Sequence, residues 1–370
     1  MRVALVHDWL TGMRGGEKVL EVLCELYPDA HLYTLLHVPG SVSSGIERHP
    51  IHTSFVQSLP FAARLYRRYL PIFPWAIERF RFDGYDLVIS SSHCVAKSAV
   101  TPDGTRHICY CHSPMRYAWD QFDAYFGAER VGALASRWVY RPVLDRLARW
   151  DAATAARVNR FVANSQHVAG RIRRYYNRQA AVVHPPVDTA FFQPGTSTPE
   201  NHFLIVSALV PYKRIELAIQ ACAHIGAELR IIGDGPDRTR LEQSAGSGVT
   251  FLGPRSGETL RDEYRRARAV LLPGEEDFGI VPVEAQACGT PVVALARGGA
   301  LETVADGETG VLFDEPTVSA MADALQRVGA LGVDAARLHQ HAERFSRQRH
   351  VHAIRSIVDE TMAAPAGTRW

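Results

Sequence analysis

Two carboxylates, Glu276 and Glu284, flank the run Asp277-Phe278-Gly279-Ile280-Val281-Pro282-Val283. Proline is favoured in the first turn of a helix, where its missing N–H would have had no partner. A helix is therefore expected to start at Pro282. The amides of Gly279 and Ile280 then lie at its N-terminus as unpaired donors, which suits an anion. A carboxylate before the helix, bare amides at its mouth and a carboxylate in its first turn match a particular ligand shape. That ligand carries hydroxyls at both ends and phosphate in the middle. Taken singly, the same residues have plainer accounts. Glu284 reads as a solvated helix-start glutamate and Glu275-Glu276-Asp277 as an acidic surface loop.

Cations that would complement such a ligand lie upstream. Val206-Ser207-Ala208-Leu209-Val210-Pro211-Tyr212-Lys213-Arg214 joins a strand-like run to a helix-like one. Lys213 and Arg214 at a helix start oppose the helix dipole. A bound diphosphate resolves that conflict; a solvated basic turn is the plainer reading. Ile232-Gly233-Asp234-Gly235-Pro236 is a strand-to-helix turn whose glycines tolerate positive φ. Near the N-terminus, Gly12-Met13-Arg14-Gly15-Gly16-Glu17-Lys18 follows the first strand and opens a helix. It is neither G-x-G-x-x-G nor a Walker A loop, yet paired glycines let a ligand approach the backbone. Cys111-His112-Ser113-Pro114-Met115-Arg116-Tyr117-Ala118-Trp119-Asp120 lies just past another strand. A lone histidine is more often structural than functional, but here it sits where a strand ends.

The elements that must hold these residues alternate in type. In the C-terminal half, strands are expected at 202–207, 228–232, 249–252, 269–272, 291–294 and 310–313. Helices are expected at 213–224, 236–245, 258–267 and 282–287. In the N-terminal half, strands are expected at 3–7, 31–35, 86–90, 107–111, 160–164 and 181–184. Short β-rich runs alternating with helices imply an α/β fold with parallel sheets covered on both faces. The prolines of His184-Pro185-Pro186 and the small polar residues of 193–199 mark a boundary. The expected domains are 1–186 and 187–347, with a final helix in 348–370.

With 370 residues the chain is long enough for two domains. A formal charge of +2, from 41 basic and 39 acidic residues, gives no case for nucleic-acid binding. The six cysteines fall mostly in apolar runs and read as buried thiols of a cytosolic protein; Cys109-x-Cys111 lacks a second ligand pair for zinc. Met1–His7 reads as a strand from the outset rather than as a signal peptide. No apolar run reaches the ~20 residues that a membrane span needs. Residues 55–82 interleave Arg64, Arg67, Arg68, Arg79 and Arg81 with Phe61, Tyr66, Tyr69, Phe73 and Trp75. That pattern suits an anionic membrane surface, or equally an amphipathic helix covering the sheet.

The E-x7-E spacing, its continuation Glu284-Ala285-Gln286-Ala287-Cys288-Gly289-Thr290-Pro291, and the downstream Gly298-Gly299 and Thr309-Gly310 resemble glycosyltransferase family 4. The resemblance covers most of the chain and is strongest over the last half. It implies the GT-B fold, two Rossmann-like domains facing across a cleft, with the final helix packing back on the first domain. It implies a retaining transferase acting on a nucleotide-sugar donor. By that resemblance Glu284 binds ribose, Glu276 contacts the donor sugar near its reacting carbon, and Lys213 binds phosphate. Many members carry an arginine before this lysine where this chain has Ala208; Arg214 is the expected substitute. Gly15, Gly16, Ser207, Gly233, Gly279 and Ile280 are the expected backbone contacts, and Arg255 the expected base contact. His112 is the expected sugar contact, and Arg116 and Asp120 are unranked candidates to face the acceptor. No D-x-D motif is present, so neither a metal nor another cofactor is expected. The details around His112 resemble bacterial polysaccharide-assembly members. The expected acceptor is a glycan or a lipid-linked hydroxyl, in the cytoplasm or at the inner face of its membrane. GDP-mannose is the leading donor, with a UDP-sugar next. A sugar-nucleotide epimerase and a non-catalytic nucleotide-sugar-binding protein are the competing readings.

Overall fold

The computed structural model describes every residue except Ser197, Thr198 and Val333. The first two belong to the 193–199 connection and lie outside the described residues. The chain divides into two units, Met1–Pro186 with His350–Trp370, and Val187–Arg349.

The first unit is built on seven parallel strands: β1 (Val3–His7), β2 (His31–Thr34), β3 (Ile51–Thr53), β4 (Leu87–Ser92), β5 (Arg106–Cys111), β6 (Arg160–Ala163) and β7 (Ala180–Val182). Their order is β3-β2-β1-β4-β5-β6-β7. Alternate residues feed two cores. Val3 and Leu5 pack with the Gly15–Leu26 helix on one face. Ala4 and Val6 pack with Tyr66, Phe73, Leu144 and Leu147 on the other. The Arg347–Ala363 helix contributes Ile354, Ile357 and Val358 to the first of these cores. β3 has no counterpart in the sequence reading, because three residues are too few to show a period.

The second unit carries six parallel strands: β8 (His202–Val206), β9 (Glu228–Ile232), β10 (Val249–Gly253), β11 (Ala269–Leu272), β12 (Val292–Leu295) and β13 (Gly310–Phe313), in the order β10-β9-β8-β11-β12-β13. Phe203, Ile231, Leu271 and Val293 line one core, and Leu204, Ile232, Val270 and Val292 the other. Both sheets are buried on both faces, as parallel sheets require.

Strand order reverses between β1 and β4 in one unit and between β8 and β11 in the other. At such a reversal the connections leave in opposite directions, which opens a crevice at the carboxyl ends of the strands. Gly15-Gly16 and His112 follow β1 and β5, and Ser91 lies at the end of β4. The loops after β8 and β11 carry Lys213 and Glu276.

Residues 55–82 do not form one amphipathic helix. They form short pieces, Phe55–Ser58, Ala62–Leu65, Tyr66–Ile72 and Phe73–Glu78, with Pro60 between the first two, Pro71 inside the third and Pro74 in the first turn of the fourth. Tyr66, Leu70, Phe73 and Phe82 are core residues. Phe61 and Trp75 stand out at 74% and 55% exposure, and all five arginines of the segment are exposed. All six cysteines are buried free thiols. Burial pushes the Cys111 thiol, beside Cys109, well above its usual range. Among the described residues, no helix is long and apolar enough to cross a membrane.

Candidate active site

The helix that carries the two-glutamate motif runs Ile280–Ala287, two residues longer at its start than expected. Pro282 is therefore its third residue. Proline is tolerated there because first-turn N–H groups have no intrahelical partner. Gly279 is the N-cap, with φ +85°, a conformation that only glycine adopts without strain. The shift also moves Glu284 out of the first turn to the fifth helical position. The surface reading of Glu284 fails as well, because its side chain is buried. An apolar helix can hold a carboxylate there only with partners. One is the Tyr264 hydroxyl, which donates to Glu284 Oε2 at 2.9 Å. Burial, then the adjacent Glu284 charge, raise the Tyr264 phenol well above its usual range, so it remains a donor.

Glu276 forms an ion pair with Lys213 Nζ. Both side chains are largely covered, at 15% exposure for Lys213 and 18% for Glu276. The two loops are locked together by missing side chains. A Cβ on Gly274 would fall 2.5 Å from the Tyr212 carbonyl oxygen and 2.8 Å from Lys213 Cα. A Cβ on Gly298 would fall 2.2 Å from the Glu276 carbonyl oxygen, and one on Gly299 would fall 2.3 Å from Phe278 Cα. The Gly299 N–H also donates to the Glu276 carbonyl at 2.8 Å. Glycine at these three positions lets backbone lie on backbone, which fixes where the Lys213 and Glu276 side chains start. Gly279 adjoins them, its Cβ position lying 3.7 Å from Glu276 Cβ.

Gly233 packs against Ser207 in the same way; a Cβ there would come within 1.8 Å of the Ser207 carbonyl oxygen. Arg214 differs from expectation. The turn Pro211–Lys213 is a 3-10 helix, Arg214 follows at φ 51°, and the regular helix is Ile215–His224. Arg214 is exposed, and no described hydrogen bond or ion pair joins it to Glu276 or Glu284. Arg255, also exposed, lies after β10 at the same edge of the sheet. A cavity of about 470 Å³ lies elsewhere, beside Thr309, Arg337, His341 and Arg344. Thr309 precedes β13, so that cavity opens at the amino-terminal edge, away from Lys213, Glu276 and Glu284, and Thr309 is its one link to the motif.

In the first unit, Gly15 and Gly16 open the Gly15–Leu26 helix, and a Cβ on Gly16 would lie 3.5 Å from His112 Nε2. The structure therefore brings the glycine turn and His112 together. It also surrounds them with residues that the sequence reading missed. Ser91 Oγ lies 2.7 Å from His112 Nε2 and 3.1 Å from His7 Nδ1. Asp8, fully buried, accepts four backbone N–H groups, from His93, Cys94, Val95 and Ala96, at 2.7–2.9 Å. Its carboxylate also lies 3.2 Å from the His93 ring. The available signal was a row of polar residues closing two strands, His7-Asp8 and Ser90-Ser91-Ser92-His93. Arg116 begins the short Arg116–Trp119 helix, half-buried. Asp120 is taken up by Arg171 and Tyr175. Behind this segment, the Asp151 carboxylate accepts from Trp119 and Tyr176 and forms an ion pair with Lys97 inside the core.

Residues 13–191 match the profile of Glycosyltransferase Family 4, and residues 186–345 that of the Glycosyl transferases group 1. The chain belongs to glycosyltransferase family 4. It is 32% identical over 235 residues to the D-inositol 3-phosphate glycosyltransferase of Mycolicibacterium smegmatis, covering 55% of this chain and 54% of that protein. It is 33% identical over 252 residues to that of Salinispora arenicola, with 56% of each covered. The chain thus spans about half the length of the curated relatives it matches. Among solved structures it is similar to a sucrose-phosphate synthase of Thermosynechococcus elongatus, with TM-score 0.69, 19% identity and 99% and 100% coverage. A lipopolysaccharide outer core galactosyltransferase is similar at TM-score 0.66, 16% identity and 97% and 99% coverage. The Anabaena protein HepE with UDP-glucose is similar at TM-score 0.66, 18% identity and 97% and 100% coverage. These likenesses give this family member the GT-B fold.

Proposed function

We propose that the chain transfers a hexosyl group from a nucleoside diphosphate sugar to a hydroxyl, with retention at the anomeric carbon. The observation that carries this reading is the Lys213–Glu276 pair, held by glycine-braced loops at the β8/β11 reversal beside the Gly279 helix mouth. In it, the pyrophosphate lies against Lys213 and the Gly279 and Ile280 amides, Glu284 takes the ribose, and Glu276 and His112 contact the sugar. The bond from the anomeric carbon to the β-phosphate oxygen breaks, and its electrons stay on the phosphate. The acceptor oxygen bonds to the same face of that carbon and passes its proton to the departing phosphate. Lys213, Arg214 and the helix amides stabilise the growing phosphate charge without a catalytic metal.

Mannose from GDP-mannose remains the leading donor from the sequence. UDP-glucose in the similar HepE structure supports the UDP-sugar alternative. The acceptor is a glycan or lipid-linked hydroxyl of polysaccharide assembly. A thermal-shift screen of GDP-, UDP-, ADP- and dTDP-sugars tests the reading. At a hundred times Kd, the true donor adds about 2.7 kcal/mol, or roughly 5–10 °C in the melting of a unit this size. Incubation of that donor with acceptor in EDTA is expected to yield glycoside. No shift with any donor, or isomerised donor without acceptor, refutes transfer.

Exposed Phe61 and Trp75 among the arginines of 55–82 support peripheral contact with an anionic membrane. Leu134, Trp138, Val139 and Val143 are also exposed, among Arg130, Arg137, Arg141 and Arg146. The expected result is co-sedimentation with anionic vesicles that neutral vesicles do not support and that Phe61→Ser with Trp75→Ser weakens. Equal recovery with both vesicle types would rule this contact out.

A further inference from the structure

Three buried side chains stand behind His112 in single file. Ser91 Oγ contacts both His112 Nε2, at 2.7 Å, and His7 Nδ1, at 3.1 Å. His7 Nε2 faces Glu17 Oε1 at 3.7 Å, too far for a hydrogen bond but close enough for charge to matter. Ser91 and His7 are wholly buried, and Glu17 nearly so. The four come from separate places: the ends of β1 and β4, the first turn of the Gly15–Leu26 helix, and the residue after β5.

A serine hydroxyl has one proton. Between two imidazoles it donates to one and accepts from the other, so the file has two possible directions. Glu17 decides between them. Burial opposes its ionisation, but the facing His7 N–H outweighs it and holds the carboxyl below its usual range. Glu17 Oε2 also accepts the Arg14 N–H at 3.0 Å, which favours the charged form. A bare His7 Nε2 lone pair facing this carboxylate would be repelled; an Nε2–H is attracted. His7 Nδ1 is then the acceptor and takes the Ser91 proton. The Ser91 oxygen in turn accepts from His112 Nε2–H.

We propose that Glu17, acting through His7 and Ser91, fixes the tautomer of His112, with the proton on Nε2 and the acceptor lone pair on Nδ1. At Nδ1, His112 is thereby an acceptor and not a donor. Glu17, His7 and Ser91 are positioning residues. The nearby His93 belongs to a separate group, because its ring is tied to Asp8. The idea rests on the reading that His112 meets the sugar, but its test does not.

The experiment is long-range proton–nitrogen correlation of histidine in the 15N-labelled full chain, without ligand, at about pH 8 where ordinary imidazoles are neutral. His7 and His112 are expected as Nε2–H tautomers. In Glu17→Gln, the amide oxygen can keep the Arg14 N–H while its NH2 turns to His7 Nε2. The file then reverses and His112 becomes the Nδ1–H tautomer. Ser91→Ala breaks the link, so His112 shows a mixture of tautomers that Glu17→Gln no longer alters. Both single variants are expected to lower kcat/KM about tenfold, the scale of one misdirected neutral hydrogen bond. An Nδ1–H tautomer of His112 in the unmodified chain overturns the proposal. So does a His112 spectrum that ignores Glu17→Gln and Ser91→Ala. If no donor shifts the melting temperature while the tautomers follow this pattern, the transferase reading fails and the relay stands.

Discussion

Glu276→Ala is expected to lower transfer about a thousandfold, near 4 kcal/mol of transition-state stabilisation, while nucleotide Kd changes little. The carboxylate is held where charge develops in the proposed reaction, and its starting point is fixed by Gly274, Gly298 and Gly299 rather than by its own flexibility. Preorganised charge of this kind acts mainly in the transition state, so the loss belongs in kcat. Glu276→Gln keeps the shape and removes the charge. It is expected to fall almost as far, which separates an electrostatic role from packing. Equal losses of nucleotide binding and turnover would refute the assignment.

Lys213→Ala is expected to weaken the nucleoside diphosphate by tenfold or more and the bare nucleoside by less than twofold. The resulting fall in kcat/KM is expected to be roughly a hundredfold to a thousandfold. A lysine is a compact point charge on a flexible stem, so it can leave Glu276 for a phosphate or serve both. The Lys213→Ala/Glu276→Ala double variant should fall little below the worse single variant, because the two groups touch and act together. Isothermal titration with nucleoside, monophosphate and diphosphate checks the first claim. A loss that is the same for all three would count against phosphate contact.

The motif at Glu276–Glu284 was legible because its parts are close in sequence, and spacing survives into structure when one turn and one helix carry it. Its details were not. Proline can occupy several first-turn positions, so Pro282 gave the helix start two residues late. With that start Glu284 falls in the first turn, whereas it stands at the fifth helical position, buried against Tyr264. The strand pattern was legible where runs are long and apolar, as in Ala269–Leu272, and not in Ile51–Thr53. The Lys213–Glu276 pair and the braces at Gly274 and Gly298 join residues far apart in the chain, and only the strand order brings them together. The same holds for His7, Ser91 and His112, which close three different strands. In residues 55–82 the mix of arginines and aromatics was legible, but it left a membrane-facing surface and an amphipathic helix as equal readings, and the segment holds four short helical pieces.

The Arg347–Ala363 helix has a consequence for how the chain is made. It closes a core begun by Val3 and Leu5, yet roughly 160 residues of the other unit intervene. At about 5–20 residues per second on the ribosome, the opening half waits on the order of ten to thirty seconds with this core short of Ile354, Ile357 and Val358. During that interval it is open to holdase chaperones and to self-association, whereas the intervening unit is continuous and can fold as soon as it emerges. A gene rearranged to place residues 350–370 ahead of residue 1 would remove the delay.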